Sequence, residues 1–275
     1  KFQFKMKYAQ LVMGPAGSGK STYCSVMHNH CLSAGRTLRM VNLDPACEVF
    51  NYPAVVDVRD LISVNDVQED EELILGPNGA LVFCMEYLVQ NLEWLHDELD
   101  EGEDDYFVID CPGQIELYSH LPVMRQIVDA LKSWDFNVCS VFLIDTNFVL
   151  EAEKFISGAL TALSAMVAIE TPAINVLTKM DLLSERNKQL VDEFLETDTR
   201  SIVDQDETAW NEKHRKLTRA IAQVLEDYSI VKFVPLNCED EESIDQLLLT
   251  IDTTIQYGED LEVKDHYPEE VDPEE

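Results

Sequence analysis

The residues best suited to chemistry lie in one glycine-rich run, Gly14-Pro-Ala-Gly-Ser-Gly-Lys-Ser-Thr22. The run has the spacing of a phosphate-binding loop, and it follows an apolar segment and precedes a helical pattern. Glycines allow a tight turn, so that backbone N–H groups and the start of the helix face an anion. We expect Lys20 to bring positive charge to the β- and γ-phosphates and Ser21 to bind Mg²⁺. The predicted phosphate contacts are Gly17, Ser18, Gly19, Lys20, Ser21 and Thr22.

Two acidic residues that follow apolar segments are candidates for holding the magnesium and for positioning an attacking water. Asp110 begins the stretch Asp-Cys-Pro-Gly-Gln, in which Gly113 leaves room for a γ-phosphate and the Gln114 amide can orient a water. Asp44 ends an earlier apolar segment, and parallel strand ends meet at one edge of a sheet. Taken alone, the Asp44 and Asp110 segments could each also be an ordinary turn at a strand end with no role in catalysis. The predicted catalytic residues are Lys20, Asp44, Asp110 and Gln114, and the predicted metal ligands are Ser21, Asp44 and Asp110.

The four residues from Thr178 to Asp181 resemble the [NT]-K-x-D element with which GTPases select guanine. A carboxylate at Asp181 can accept hydrogen bonds from guanine N1–H and from the 2-amino group, two donors that adenine lacks on that edge. The stem of Lys179 can lie across the base. A second base-contacting loop is expected after the last predicted strand. The predicted guanine contacts are Thr178, Lys179, Asp181, Asn237 and Cys238.

Short apolar segments alternate with longer segments of helical pattern, which is typical of a doubly wound α/β fold. The apolar segments are not interrupted by alternating polar residues, as in parallel strands that are covered on both faces. The predicted strands are Tyr8–Met13, Leu38–Leu43, Phe107–Ile109, Val138–Ile144, Ile174–Leu177 and Val231–Leu236. The predicted helices are Lys20–Ser33, Ala80–Leu99, Ile115–Ser133, Glu151–Ile169, Thr208–Asp227 and Glu241–Ile255. We therefore expect a P-loop NTPase with a mostly parallel central sheet and helices on both faces.

The formal net charge of −33 is concentrated in acidic runs. The runs at 66–72 and 97–105 are expected to be solvated loops, and the run at 259–275 a disordered tail or a site for a basic partner. We expect one nucleotide-binding domain over residues 7–258, with a polar, irregular surface insertion at 184–207. This charge repels phosphate backbones and anionic lipids, so neither nucleic acid nor a membrane is an expected partner. Seven cysteines without a C-x-x-C pair, and no apolar leader, favour the cytosol or nucleus over a disulfide framework or zinc site.

Together with Gly76-Pro77-Asn78, these motifs resemble the GPN-loop GTPases, from about Tyr8 to about Leu261. The residues around the motifs are most similar to those of the third eukaryotic paralogue. The resemblance implies Mg²⁺-dependent hydrolysis of GTP to GDP and phosphate by a dimer. In that dimer the GPN loop of Gly76, Pro77 and Asn78 contacts the partner's nucleotide, and Asn78 stabilises the γ-phosphoryl group during transfer. The chain departs from the family pattern at Asn237-Cys238, where a Ser-Ala pair is more usual.

The resemblance also implies partners. These are a paralogous GPN-loop GTPase in a heterodimer, or a second copy in a homodimer, and subunits of RNA polymerase II, whose assembly or nuclear import the eukaryotic members serve. The expected location is the cytoplasm, with shuttling to the nucleus. Two other functions stay open: a P-loop kinase for a small molecule, which would need an acceptor pocket, and an assembly factor that uses nucleotide only as a switch. No arginine finger is evident, and Arg59 and Arg125 have no assigned role, so slow turnover is expected.

Overall fold

The structure is a computed structural model, and it describes residues 6–49, 51–100, 106–150, 152–196, 216–217, 220–221, 223 and 231–258. Parallel strands form its centre. The strands are β1 Lys7–Met13, β2 Arg39–Asn42, β3 Ala54–Asp57, β4 Tyr106–Asp110, β5 Phe136–Asp145, β6 Ala173–Thr178 and β7 Phe233–Pro235. They form one seven-stranded sheet in the order β3-β2-β4-β1-β5-β6-β7, and each pair of neighbours is parallel. The predicted α/β class with a parallel central sheet is confirmed.

Helices occupy most of the connections between these strands. They are α1 Lys20–Ser33, α2 Val64–Glu69, α3 Pro77–Gln90, α4 Leu92–Asp100, α5 Glu116–Ser119, α6 Val123–Ser133, α7 Ala152–Ile169, α8 Glu185–Glu196 and α9 Glu241–Thr254. Single turns of 3₁₀ helix lie at Val58–Asp60, Thr146–Phe148 and Met180–Leu182. Among the described residues, no helix combines the length and the apolar character needed to cross a membrane.

The two faces of the sheet are covered by different helices, because side chains alternate between the faces along each strand. Helices α1 and α9 cover one face, and their buried side chains include Tyr23, Met27, Leu247 and Ile251. Helices α3, α4, α6 and α7 cover the other face, and their buried side chains include Leu88, Leu95, Ile127 and Ala165. The predicted placement of helices on both faces is therefore confirmed.

Two predicted helices are each divided into two. The predicted helix Ala80–Leu99 consists of α3 and α4, because the backbone of Asn91 leaves helical geometry. The side-chain amide of Asn91 donates back to the Tyr87 carbonyl at 2.7 Å. The predicted helix Ile115–Ser133 consists of α5 and α6. Pro122 lies at the break, since proline lacks the N–H that would continue a helix and can only begin the next one.

Three elements, β3, α2 and α8, were not predicted from the sequence pattern. Strand β3 is a four-residue edge strand, and α2 is a short helix that begins with a capping box between Ser63 and Asp66. Both acidic runs that were expected to be loops are partly helical. Residues 66–69 of the run 66–72 belong to α2, and residues 97–100 of the run 97–105 belong to α4. Helix α8 occupies the first half of the segment 184–207, which is therefore not irregular throughout. The rest of that segment, most of the predicted helix at 208–227 and the tail at 259–275 lie outside the described residues.

A chain of hydrogen bonds connects the central strand to helices on one face. Tyr23 Oη donates to Gln10 Oε1 at 2.7 Å, and Gln10 Nε2 donates to Tyr106 Oη at 2.8 Å. Tyr106 Oη in turn donates to Asp252 Oδ1 at 2.9 Å. The Arg36 guanidinium binds both oxygens of Asp252, at 2.6 and 2.9 Å, and lies 4.4 Å from the centre of the Tyr106 ring. This largely buried network holds α1 and α9 against the sheet, because its hydrogen bonds run from α1 through β1 and β4 to α9.

Replacing Asp252 by Ala is expected to lower the free energy of unfolding by about 2–3 kcal/mol, because the Arg36 guanidinium then loses its acceptor where little water reaches it. Asp245→Ala is a matched control. Asp245 also pairs α9 with α1, through His30 at 2.7 Å, but its side chain is 67% exposed. That change should cost at most about 0.5 kcal/mol. Urea unfolding followed by circular dichroism measures both values, and equal losses would contradict the importance of the buried network.

Candidate functional site

The carboxyl ends of neighbouring strands meet at one edge of the sheet. Val12 of β1 is in register with Asp110 of β4, and Asp110 is in register with Asn42 of β2. On the other side of β1, Asp145 of β5 is in register with Thr178 of β6. The loops that follow these strands carry the glycine-rich run, both candidate magnesium carboxylates and the guanine motif. The parallel sheet therefore brings these motifs to one edge, as the sequence predicted.

The glycine-rich loop turns directly against β5. Gly14 has φ +144°, and a Cβ there would lie 2.3 Å from the Leu143 carbonyl oxygen, so the turn requires glycine. Gly19 has φ +93° and precedes the first turn of α1 in the left-handed region. The buried Lys20 ammonium donates to the carbonyl oxygens of Gly14 and Pro15 at 3.2 and 3.3 Å. Lys20 thus lies folded over the loop whose amides are expected to bind phosphate.

Asp110 is the centre of the acidic half of the site. Its Oδ2 accepts hydrogen bonds from the hydroxyls of Ser21 and Tyr52, both at 2.9 Å. Its Oδ1 is buried and has no hydrogen-bond partner among the described residues. Burial raises the pKa of the Asp110 carboxyl, against the opposing effects of the two hydroxyls and of the Lys20 ammonium. A buried carboxylate oxygen with unused lone pairs suits a cation or a water that the cation binds.

These residues fit Mg²⁺, which prefers one or two carboxylates or hydroxyls and keeps several waters and phosphate oxygens as ligands. Among the described residues, no group of three or more His, Cys, Asp or Glu side chains is arranged to hold a metal by itself. A cation at this edge would therefore depend on the nucleotide for much of its coordination, and Ser21 and Asp110 would provide the protein's share.

Asp44 belongs to the same electrostatic environment. Its carboxylate accepts from the Ala46 amide at 3.0 Å and is only partly exposed. Burial raises the pKa of the Asp44 carboxyl, while the charges of Lys20 and Arg59 oppose that rise. The charge of Asp44 also helps to raise the pKa of Asp110. Asp44, Asp110 and Lys20 are therefore close enough to influence each other, as expected from the alignment of the strand ends.

The turn after Asp110 lies against the phosphate loop. A Cβ at Gly113 would be 3.1 Å from both the Ala16 Cα and the Lys20 Nζ. Tyr118 Oη donates to the Pro112 carbonyl oxygen and holds the turn in place. The Oε1 atom of Gln114 is buried without a hydrogen-bond partner among the described residues. Its amide is thus free to accept from a water, which is the role predicted for it.

The guanine motif is attached to the phosphate loop through Thr178. Its Oγ1 donates to the Ser18 carbonyl oxygen at 2.7 Å, which connects the predicted base-binding segment to the predicted phosphate loop. Asp181 follows at the start of a 3₁₀ turn and is partly exposed. Burial raises the pKa of the Cys238 thiol, and the nearby charge of Asp181 raises it further. The loop of Asn237 and Cys238 is therefore beside Asp181, where a second base-contacting loop is expected.

Asp145 contacts the site but was not predicted. Its Oδ2 forms an ion pair with Lys179 Nζ at 2.7 Å, and this pairing helps to lower the pKa of the Asp145 carboxyl, against the effect of burial. Lys179 itself has φ +65°, an uncommon conformation for a lysine. An acidic residue directly after an apolar strand is the same signal that identified Asp44 and Asp110, and it is present at Asp145 as well.

The GPN tripeptide lies apart from these residues. Gly76, Pro77 and Asn78 are exposed, with Gly76 as the cap and Pro77 as the first residue of α3. No hydrogen bond or ion pair within the described part of the chain connects Asn78 to the phosphate loop. The two unassigned arginines are held in ion pairs, Arg59 with Asp57 at 2.5 Å and Arg125 with Asp129 and Glu170 at 2.9 and 2.8 Å.

Gly113→Ala is expected to lower the predicted GTP hydrolysis about 10- to 100-fold, because the added methyl displaces the turn of Asp110 and Gln114 from the phosphate loop. GDP binding should change less. Gly158→Ala is the matched control, since a Cβ in the middle of α7 would meet only Ile144 at an ordinary 3.5 Å. It should leave hydrolysis unchanged and stabilise the helix by up to about 1 kcal/mol. The rate of phosphate release is measured for both variants. A wild-type rate for Gly113→Ala would contradict the close contact between Gly113 and the phosphate loop.

Comparison with known proteins gives consistent results. Residues 12–257 match a family described as "conserved hypothetical ATP binding protein". The chain is 54% identical to GPN-loop GTPase 3 of Danio rerio over 269 residues, and this alignment covers 98% of this chain and 94% of that protein. It is 53% identical over 261 residues to GPN-loop GTPase 3 of Dictyostelium discoideum, which covers 94% and 90%.

Among solved structures, the fold is similar to the apo form of a GTPase from Pyrococcus abyssi, with a TM-score of 0.75 at 23% identity. The match covers 90% of this chain and 97% of that one, and it supports the P-loop fold. The family resemblance that the motifs indicated is confirmed by the curated relatives over nearly the whole length of both chains. The chain is a GTPase and belongs to the GPN-loop GTPase family.

Proposed function

We propose that this GTPase hydrolyses GTP to GDP and phosphate with Mg²⁺ at the carboxyl edge of its sheet. The proposal is carried by the Asp110 carboxylate, which has one oxygen held by two hydroxyls and the other buried without a partner among the described residues. Such a group is suited to a hydrated cation beside a phosphate loop. When bound, Mg²⁺ would neutralise charge on the phosphate oxygens during transfer.

The chain's own residues would then share the work of positioning and charge neutralisation. Lys20 exchanges the loop carbonyls for the β- and γ-phosphates, which is a short movement because its ammonium already lies over the loop. Gln114 accepts a hydrogen bond from the attacking water, and Asp44 helps to orient that water or the cation. Asp181 accepts from the guanine base, and Lys179, held by Asp145, lies along the base. Through its bond to the Ser18 carbonyl oxygen, Thr178 keeps the guanine motif at a fixed position relative to the phosphate loop.

We further propose a dimer in which Asn78 contacts the partner's nucleotide. The partner is a paralogous GPN-loop GTPase or a second copy of this chain. Support comes from the exposure of the GPN tripeptide and from Ile74 beside it, which is 88% exposed. A donor from a partner would also suit a site whose candidate arginines, Arg59 and Arg125, are held in ion pairs. Without such a donor, slow intrinsic turnover is expected.

The cellular role proposed from the family resemblance is the assembly or nuclear import of RNA polymerase II, in the cytoplasm with shuttling to the nucleus. For a factor of this kind, the GTP and GDP states must differ in affinity for a client, since a ligand shifts only an equilibrium whose states bind it differently. The strongly negative charge of the chain favours protein clients over nucleic acid or membranes.

The family description names ATP, whereas the curated relatives are named GTPases, so base selection is the first test. With magnesium present, GTP is expected to displace fluorescent GDP at least about 100-fold more effectively than ATP, because adenine leaves the Asp181 carboxylate unpaired. Asp181→Asn should reduce this preference, and Glu239→Gln, on the neighbouring loop, should keep it. Equal competition by ATP would contradict the guanine motif. Phosphate release from GTP without any acceptor would exclude the kinase function.

Turnover per chain is expected to fall when the protein, alone or mixed with a paralogous GPN-loop GTPase, is diluted below the dissociation constant of the dimer. Asn78→Ala should lower turnover at high concentration and leave GDP binding unchanged. Asn91→Ala, at the opposite end of α3, is the control and should keep wild-type turnover. Phosphate release and sedimentation over the same range of concentrations measure both properties. Turnover that is independent of association would contradict the contact in trans.

A further inference from the structure

We propose that Tyr52 is a positioning residue for the Asp110 carboxylate and, through it, for the magnesium site. The inference rests on the proposed magnesium dependence and extends it to a residue outside every recognised motif. Tyr52 lies in the connection between β2 and β3, and its Oη donates to Asp110 Oδ2 at 2.9 Å across 58 residues of sequence. Both side chains are buried, with Tyr52 5% and Asp110 3% exposed.

The orientation of the Asp110 carboxylate depends on its hydrogen bonds, because the terminal torsion of an aspartate has a broad energy profile. Ser21 and Tyr52 both donate to Oδ2, and Oδ1 has no partner among the described residues. Two donors on one oxygen hold the carboxylate so that the other oxygen stays available. Outer hydrogen bonds of this kind orient metal-binding groups and tune their affinity.

Tyr52 and Ser21 hold Asp110 from different parts of the chain. Ser21 is in the first turn of α1, directly after the phosphate loop, and so follows any rearrangement that the nucleotide causes there. Tyr52 packs among the apolar side chains under α1, and Ser25 of α1 donates to the Asn51 carbonyl oxygen at 3.0 Å. The hydroxyl of Tyr52 is therefore anchored by packing against α1, and it can hold Asp110 whether or not nucleotide is bound.

Tyr52 also connects two parts of the site. The β2–β3 connection that carries it begins at Leu43, next to Asp44, while Asp110 ends β4. The hydrogen bond thus couples the loop of one candidate carboxylate to the side chain of the other. Burial of a tyrosine hydroxyl does not by itself require this arrangement. Tyr23, which is buried in the same apolar cluster, donates to Gln10 at 2.7 Å, away from Asp110.

Tyr52→Phe tests the proposal, because it removes the hydroxyl and keeps the ring. The measurement is the rate of release of fluorescent GDP from the full chain as a function of free Mg²⁺. We expect the magnesium concentration at the midpoint to rise about 10-fold. The affinity for GDP in excess EDTA should be unchanged, since the hydroxyl that is removed donates to Asp110. Isothermal titration of Mg²⁺ into the GDP complex gives the same shift independently of any rate.

Tyr23→Phe is the matched control, because it removes an equally buried hydroxyl from the same cluster. It should lower thermal stability and leave the magnesium midpoint at the wild-type value. Ser25→Ala loosens the Tyr52 segment without touching Asp110, so it should shift the midpoint in the same direction but less. It also provides a second test if Tyr52→Phe folds poorly.

The outcomes separate the two proposals. A wild-type midpoint in Tyr52→Phe would overturn the role of Tyr52 and leave the magnesium proposal intact. Equal shifts in Tyr52→Phe and Tyr23→Phe would also overturn it, because they would indicate general loosening of the cluster. If GDP release from the wild-type chain does not depend on Mg²⁺ at all, the magnesium proposal fails and the role of Tyr52 fails with it.

Discussion

The parallel pairing of β1 between β4 and β5 is the constraint on which the site depends. It brings the end of β1, where the phosphate loop begins, next to Asp110 on one side and next to the end of β5 on the other. The fit is close, because Gly14 approaches the Leu143 carbonyl oxygen more nearly than any side chain would allow. A change of register would move Asp110 away from Ser21 and separate the phosphate loop from Thr178.

Electrostatics is the second constraint, because a chain with a net charge of −33 has to bind a nucleotide that is itself an anion. Three local features favour an anion here: a buried lysine, a glycine-rich backbone and the start of a helix, which follow one another in the chain. Asp44 and Asp110 add negative charge there, and burial raises the pKa of both carboxyls. Two partly desolvated carboxylates would favour a divalent cation beside a bound nucleotide, and the proposed magnesium would reconcile the acidic surroundings with an anionic ligand.

Helix α1 connects the site to the rest of the molecule. Its first residues, Lys20 and Ser21, contact the phosphate loop and Asp110, and Ser25 holds the segment that carries Tyr52. Arg36, just after its last turn, is bound to α9 through Asp252. The helix is therefore attached at both ends, so that packing at its far end helps to determine the orientation of its first turn.

The sequence alone determined the fold class, the glycine turn before α1 and the carboxylates at strand ends, because local chemistry dictates them: glycines where the backbone must turn, and polar groups where apolar strands stop. The phosphate and guanine contacts that it assigns to these segments stay predictions. The sequence did not determine β3 or α2, which are too short for a periodic pattern, or α8, whose residues are mostly polar. It also missed the helix break at Asn91, which lies in a continuous apolar pattern. Tyr52 has no signal in the sequence, and the signal at Asp145 does not reveal its partner, so the contacts of both residues are known only from the tertiary structure. Their partners are 58 and 34 residues away along the chain, and only strand register and the packing of α1 decide that these side chains meet.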